Sequence, residues 1–123
     1  MSTMDVKIET RAGHIFAVAT GDFELGEARQ AILRMASACQ AAGVDAVLVD
    51  ARAIASQVGV MHRFELAKVV ADDTKMRLRM AVVVNRENMF TKTFEETGRN
   101  LGVELLTTDS MAEGLIFLGL LES

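Results

Sequence analysis

Proline, tryptophan and tyrosine are absent from this chain, and cysteine occurs once, at Cys39. Without tryptophan or tyrosine the chain lacks the flat, polar-tipped rings that usually grip sugars or stack nucleobases. A single thiol cannot close an internal disulfide, and two histidines with one cysteine are too few for a zinc site, so no metal is expected. The most apolar stretch, Leu115 to Leu121, is too short to cross a bilayer, and no basic-then-apolar leader opens the chain. The expectation is a cytoplasmic protein with no integral membrane association. Thirteen basic and 17 acidic residues give a net charge of -4, with neither sign forming a long run. Lys75, Arg77 and Arg79 are too few to hold a nucleic-acid backbone at physiological salt, so nucleic acid is excluded as a partner.

The equipment of catalysis is missing as well. There is no GxSxG elbow, no glycine-rich phosphate loop followed by lysine, and no GxGxxG. His14 falls in an expected hairpin turn, solvated, and His62 stands beside Arg63; neither has a nucleophile or orienting acid near it in sequence. The chain is therefore expected not to be an enzyme and to need no cofactor.

What is present is a well-patterned core. Half of the 123 residues are hydrophobic, enough for one domain spanning 1–123. Val6, Ile8 and Thr10 alternate with charged residues, and Ile15 to Ala19 is a more apolar strand after the turn at Ala12-Gly13-His14. Leu25, Ala28, Ile32, Met35, Cys39 and Ala42 recur at helical spacing, with Asp22 as the expected cap and Gly43 as the stop. Cys39 on that stripe reads as core packing. Ala46 to Val49 is a near-continuous apolar strand ending at Asp50, and Ala51 to Gly59 is the longest expected loop. A helix follows with Met61, Phe64, Ala67 or Lys68, and Ala71 on one face, fraying at Asp72-Asp73. Met80 to Val84 is the clearest strand. Asn88 is the expected cap of a helix carrying Phe90, Phe94 and Leu101, closed by Gly102. Val103 to Leu106 is the last strand, and Ser110 with Glu113 forms a capping box for a final helix. The order β-β-α-β-α-β-α-β-α predicts an α/β fold: a mixed, mostly parallel sheet with an amino-terminal antiparallel hairpin and about four helices.

In such a sheet the carboxyl ends of the strands usually form a crevice. Asp50, Arg52, Ser56, Gln57, Asn85 and Arg86 are the residues expected to form a binding face there. Asp50 serves either to hold the next turn or to bind directly. Ser56 reads either as a helix N-cap or as a phosphorylation or anion-binding site at a helix start. The last helix is apolar nearly all round, so it is either wedged against the sheet or covered by a partner, a second copy or a greasy ligand. Met61, Phe64, Met89, Phe117, Leu120 and Leu121 make up the expected apolar ligand or partner surface.

The element order, the strand Asp45-Ala46-Val47-Leu48-Val49-Asp50, the entry into a helix through Gly59-Val60, the strand Leu78 to Val84 and the closing Asp109-Ser110-Met111-Ala112-Glu113-Gly114-Leu115 resemble the STAS superfamily, and within it the SpoIIAA-like branch. The resemblance implies a regulatory module that binds a protein partner, as anti-sigma factor antagonists do, with Ser56 at the position of the phosphorylated serine and Gly59 at that of the following glycine. The antagonists usually carry an Asp-Ser-Ser-Gly-like run there, whereas this chain reads Ile54-Ala55-Ser56-Gln57-Val58-Gly59. For the SpoIIAA-like branch the resemblance also implies carriage or sensing of a small lipophilic molecule. A homodimeric assembly role through the last helix is the third reading.

Overall fold

The computed structural model describes residues 4–75, 77–89 and 93–122. Strands β1 (Asp5–Arg11) and β2 (His14–Gly21) form an antiparallel hairpin, with Val6 opposite Ala19 and Ile8 opposite Ala17. Helix α1 (Leu25–Ala42) crosses to β3 (Ala46–Ile54), α2 (Val60–Lys68) to β4 (Arg79–Val84), and α3 (Thr93–Asn100) to β5 (Glu104–Thr108), with α4 (Met111–Phe117) last. The five strands lie in chain order, and β2 to β5 are mutually parallel. Sequential parallel strands joined by right-handed crossovers place every connecting helix on one side. Accordingly α1, α2 and α3 cover the face carrying Ile15, Ala17, Val47, Val49 and Met80. The opposite face, with Leu48, Ala81 and Val83, is covered by α4 and the turn after it.

The α/β architecture thus follows the expected element order, and several local expectations are corrected. Strand β3 runs four residues past Asp50, because Ala51 and Ile54 still find an apolar layer beneath α1 and α2. The cap of α1 is Glu24, whose carboxylate accepts from the Gly26 amide, and not Asp22. Helix α2 turns inward Arg63 and Ala67, so Met61 and Phe64 face out. It does not fray at the acidic pair; it widens into a π-helical turn, Val69–Asp73, in which the Thr74 hydroxyl donates to the Val70 carbonyl at 2.7 Å. Lys75 then takes a left-handed φ of 58° to leave the turn. Leu101 lies beyond α3 and is exposed, and Phe90 lies outside the described residues. His14 is buried instead of solvated. Its Nδ1 lies 3.2 Å from the Ala12 carbonyl, and Nε2 has no partner among the described residues.

The last helix settles against the sheet. Leu118 is buried, and Met111, Leu115, Phe117 and Leu120 pack around it, which leaves Ile116 and Leu121 exposed. Its cap is a three-residue relay and not the reciprocal box. Ser110 accepts from the Glu113 amide, the Thr108 hydroxyl donates to the Glu113 carboxylate, and the same Thr108 oxygen accepts from the Ser110 amide. Cys39 is fully buried, as expected of core packing. Burial first, and Asp45 second, push its thiol up to about 11, so it stays protonated near neutrality.

Two close approaches depend on glycine. A Cβ on Gly114 would lie 3.0 Å from a Leu48 methyl, so α4 sits on β3 because this position has no side chain. A Cβ on Gly98 would meet Leu105 Cγ at 2.7 Å and its Cδ1 at 2.5 Å. Leu105 is in the core and has little room to swing away. Gly98→Ala is therefore expected to lower stability by about 1–2 kcal/mol, since overpacking outweighs the gain in helix propensity. Urea denaturation measures this, and an unchanged or raised midpoint would show that α3 rides freely over β5.

Candidate functional site

Strands laid in chain order never reverse direction across the sheet, so no topological switch point forms. In its place the carboxyl edge of β2 to β4 is closed by the segment 55–59, bolted to the chain on both sides. Toward β2 and α1, the Ala55 amide donates to the Gly21 carbonyl at 2.8 Å, and the Ser56 hydroxyl accepts from the Phe23 amide at 2.8 Å. Toward β4, the Asn88 carboxamide accepts from the Val58 amide at 2.7 Å and donates to the Ser56 carbonyl at 3.3 Å. The Gln57 side-chain carboxamide donates to the Glu87 carbonyl at 3.5 Å. Asn85, one turn earlier, donates to the carbonyls of Arg52 and Ile54 at 3.3 and 3.1 Å, tying the end of β3 to the end of β4.

Ser56 is therefore not an N-cap: that position of α2 is held by Gly59, which makes no side-chain cap bond. Asn88 does not cap a helix either. It sits in a 3-10 turn, Arg86–Asn88, 2% exposed, with its side chain given over to the 55–59 segment. A side chain the sequence reading passed over completes the clamp. Arg63, 7% exposed, donates from Nε to the Val58 carbonyl at 2.9 Å and from Nη2 to Asn88 Oδ1 at 3.5 Å. Burial lowers the pKa of its guanidinium. The signal is present in the helical phase: Arg63, Ala67 and Val70 share one face, and all three are buried.

Asp50 and Arg52 stand on the other side of the sheet, on the face that holds Leu48. Their contact is bidentate, Nε to Oδ1 and Nη2 to Oδ2, both at 2.9 Å. The Arg52 side-chain hydrogen bond holds the Asp50 carboxyl below its ordinary value, with burial opposing it. Asp50 also accepts from the Arg52 amide, so it holds its own turn. Arg86 is almost fully exposed, 3.8 Å from Asp109. Of the six residues expected at a binding face, Ser56, Gln57 and Asn85 thus belong to one edge assembly, with Arg86 exposed in the turn that carries Asn88. Asp50 and Arg52 form a separate pair behind it.

The expected apolar surface divides in the same way. Val60, Met61 and Phe64 are exposed on the outer side of α2, directly after the clamped segment, and Met61 is 70% exposed. Lys68 lies over the Phe64 ring at 5.5 Å. Met89, also exposed, follows the Asn88 turn. Phe117, at the end of α4, and Leu120 pack on the far face of the sheet, and Leu121 is exposed. None of these six lines the apolar pocket that the structure contains. That pocket, about 120 Å³, opens between α1, α2 and the sheet and is lined by residues such as Phe23, Ile32, Met35, Val58 and Val82, with Arg63, Asn88 and Thr107 as its polar contacts. Among the described residues there is no group of three or more side chains placed to hold a metal ion, and no helix long and apolar enough to cross a membrane.

Asn88→Ala is expected to cost about 2–3 kcal/mol, because it strips the Val58 amide of its acceptor and breaks the clamp at two points. Asn88→Asp, which keeps that acceptor, should cost less; equal losses in urea denaturation would contradict the assigned bonds. Asp50 gives a pH test. Its folded pKa is lower than its unfolded one, so its contribution is complete above the ordinary value of 3.8 and is lost as pH falls through the folded value. The gap in Tm between the wild type and Asp50→Asn should be widest near neutrality and narrow progressively as pH falls below 3.8.

No family model and no curated protein matches the chain. Among solved structures it is similar to the crystal structure of an anti-sigma factor antagonist from Mycobacterium paratuberculosis, at 18% sequence identity and a TM-score of 0.58, over 94% of each chain. At that identity the likeness is one of fold, and it extends across the mixed sheet, the antiparallel amino-terminal hairpin and the four helices.

Proposed function

We propose that this chain is a non-enzymatic regulatory module that binds a protein partner through the clamped edge and the outer side of α2. The observation that carries the reading is the exposure of Val60, Met61 and Phe64 immediately beside a loop made rigid by hydrogen bonds on both sides. An apolar cluster on the outside of a helix has a cost in water that a partner surface removes. A rigid neighbouring loop lowers the ordering cost of docking. Gln57 and Arg86 supply a polar rim. The antagonist whose fold this chain shares suggests the class of partner, an anti-sigma factor. Ser56 is the point at which docking is switched. Its hydroxyl faces the Phe23 amide, whose chain neighbours are Asp22 and Glu24. A phosphate there would bring about two negative charges against that acidic stretch and loosen the segment.

A second reading, carriage or sensing of a small lipophilic molecule, is favoured by the apolar pocket under α1 and α2. The homodimer reading draws less support, because α4 spends most of its apolar surface on the sheet.

The docking face is tested with the anti-sigma factor that the tagged chain captures from its own host. Met61→Asp should weaken that complex by about tenfold or more in calorimetric titration, with little change in Tm since Met61 is exposed. Full affinity in a Met61→Asp, Phe64→Asp double variant would sink this face as the docking surface.

A further inference from the structure

The pocket and the clamped edge are built from the same residues. Phe23, Ile54, Val58, Arg63 and Asn88 all line the pocket. Phe23 gives its amide to Ser56, and the Ile54 carbonyl receives Asn85. Val58 is held at its amide by Asn88 and at its carbonyl by Arg63. A molecule that enters the pocket and displaces Arg63 or Asn88 by a few tenths of an ångström must therefore alter the bonds that fix segment 55–59.

The lining also sets the chemistry of such a molecule. An engineered apolar cavity of ~150 Å³ takes benzene, so a pocket of about 120 Å³ has room for about six or seven non-hydrogen atoms. The walls are aliphatic or aromatic except at Arg63, Asn88 and Thr107, and no carboxylate lines them among the described residues. The Arg63 guanidinium is withdrawn from water and held by the Val58 carbonyl and Asn88 Oδ1; an anionic acceptor pairs with such a group more strongly than a neutral one, and a carboxylate does so in a fork geometry. Such an acceptor competes with the Val58 carbonyl for Arg63.

We infer that the pocket is an effector site for a small branched or aromatic carboxylate, and that its occupancy is transmitted to the Ser56–Val58 segment through Arg63 and Asn88. This rests on the lipophilic-ligand reading and adds to it the charge of the ligand and the coupling to the docking face. Coupling of this kind is reciprocal: whatever the ligand does to the segment, a change in the segment does to the ligand. Ser56 does not line the pocket, so its substitution reports coupling and not lost contact.

The test is a titration of the full chain with isovalerate, and with isoamyl alcohol as its neutral counterpart, followed by two-dimensional NMR. Isovalerate is expected to shift the methyls of Ile32 and Met35 and to bind at least about fivefold more tightly than the alcohol. Ser56→Ala is expected to change the isovalerate Kd by about fivefold or more, while Gln40→Ala, exposed on α1 away from the segment, leaves it within about twofold. If Ser56→Ala does not fold, the wild type serves. Saturating isovalerate should change the hydrogen-exchange rate of the Val58 amide by at least about threefold. Tighter binding of the alcohol would overturn the carboxylate assignment. An unchanged Kd in folded Ser56→Ala, or an unchanged Val58 exchange rate at saturation, would overturn the coupling and leave the carrier reading standing. Binding of neither probe would overturn both, with the protein-docking reading untouched.

Discussion

A single buried carboxamide, that of Asn88, joins segments that the sheet itself leaves apart. Parallel strands end without a turn between them, so the carboxyl edge of such a sheet is a row of separate loops. Asn88 uses both its donor and its acceptor on the 55–59 segment, and its oxygen also meets Arg63 from the first turn of α2. With those bonds in place, the start of α2 is fixed relative to β4, and the outward direction of Met61 and Phe64 follows. Arg63 depends on the same contact: an arginine is tolerated under a helix because carbonyl and amide oxygens meet its guanidinium there.

How far the sequence disclosed this arrangement depends on range. Strand alternation and helical spacing are local, so the element order, the hairpin, the burial of Cys39 and the stop at Gly43 were legible from Val6, Ile8, Cys39 and Gly43 themselves. The caps were legible only where the bond is local as well. Ser110 does cap α4, whereas Asn88 and Ser56, of the right type at the right spacing, spend their side chains about thirty residues away in sequence. Polar side chains that can either cap or bridge look alike in one dimension, and the choice is made by tertiary neighbours.

The phase of α2 shows the same limit from the apolar side. Met61, Phe64 and Ala67 or Lys68 offered a respectable buried stripe, and the competing phase began with an arginine. The energetic preference for hiding methionine and phenylalanine was outweighed by the interior hydrogen bonds of Arg63 and the packing of Ala67, Val69 and Val70. What remains outside is an apolar cluster without cover among the described residues. The missed residue and the exposed cluster therefore have one cause.

The chain-order sheet also has a temporal side. Each of the strands β2 to β5 pairs with the strand made just before it, so the sheet can zip together as the chain leaves the ribosome, with no early strand waiting for a distant late one. The second face differs, because Leu48, Ala81 and Val83 are laid down long before α4, which covers them. For that interval a nascent chain would carry a sticky sheet face, and its solubility would rest on the arrival of α4 and the turn after it.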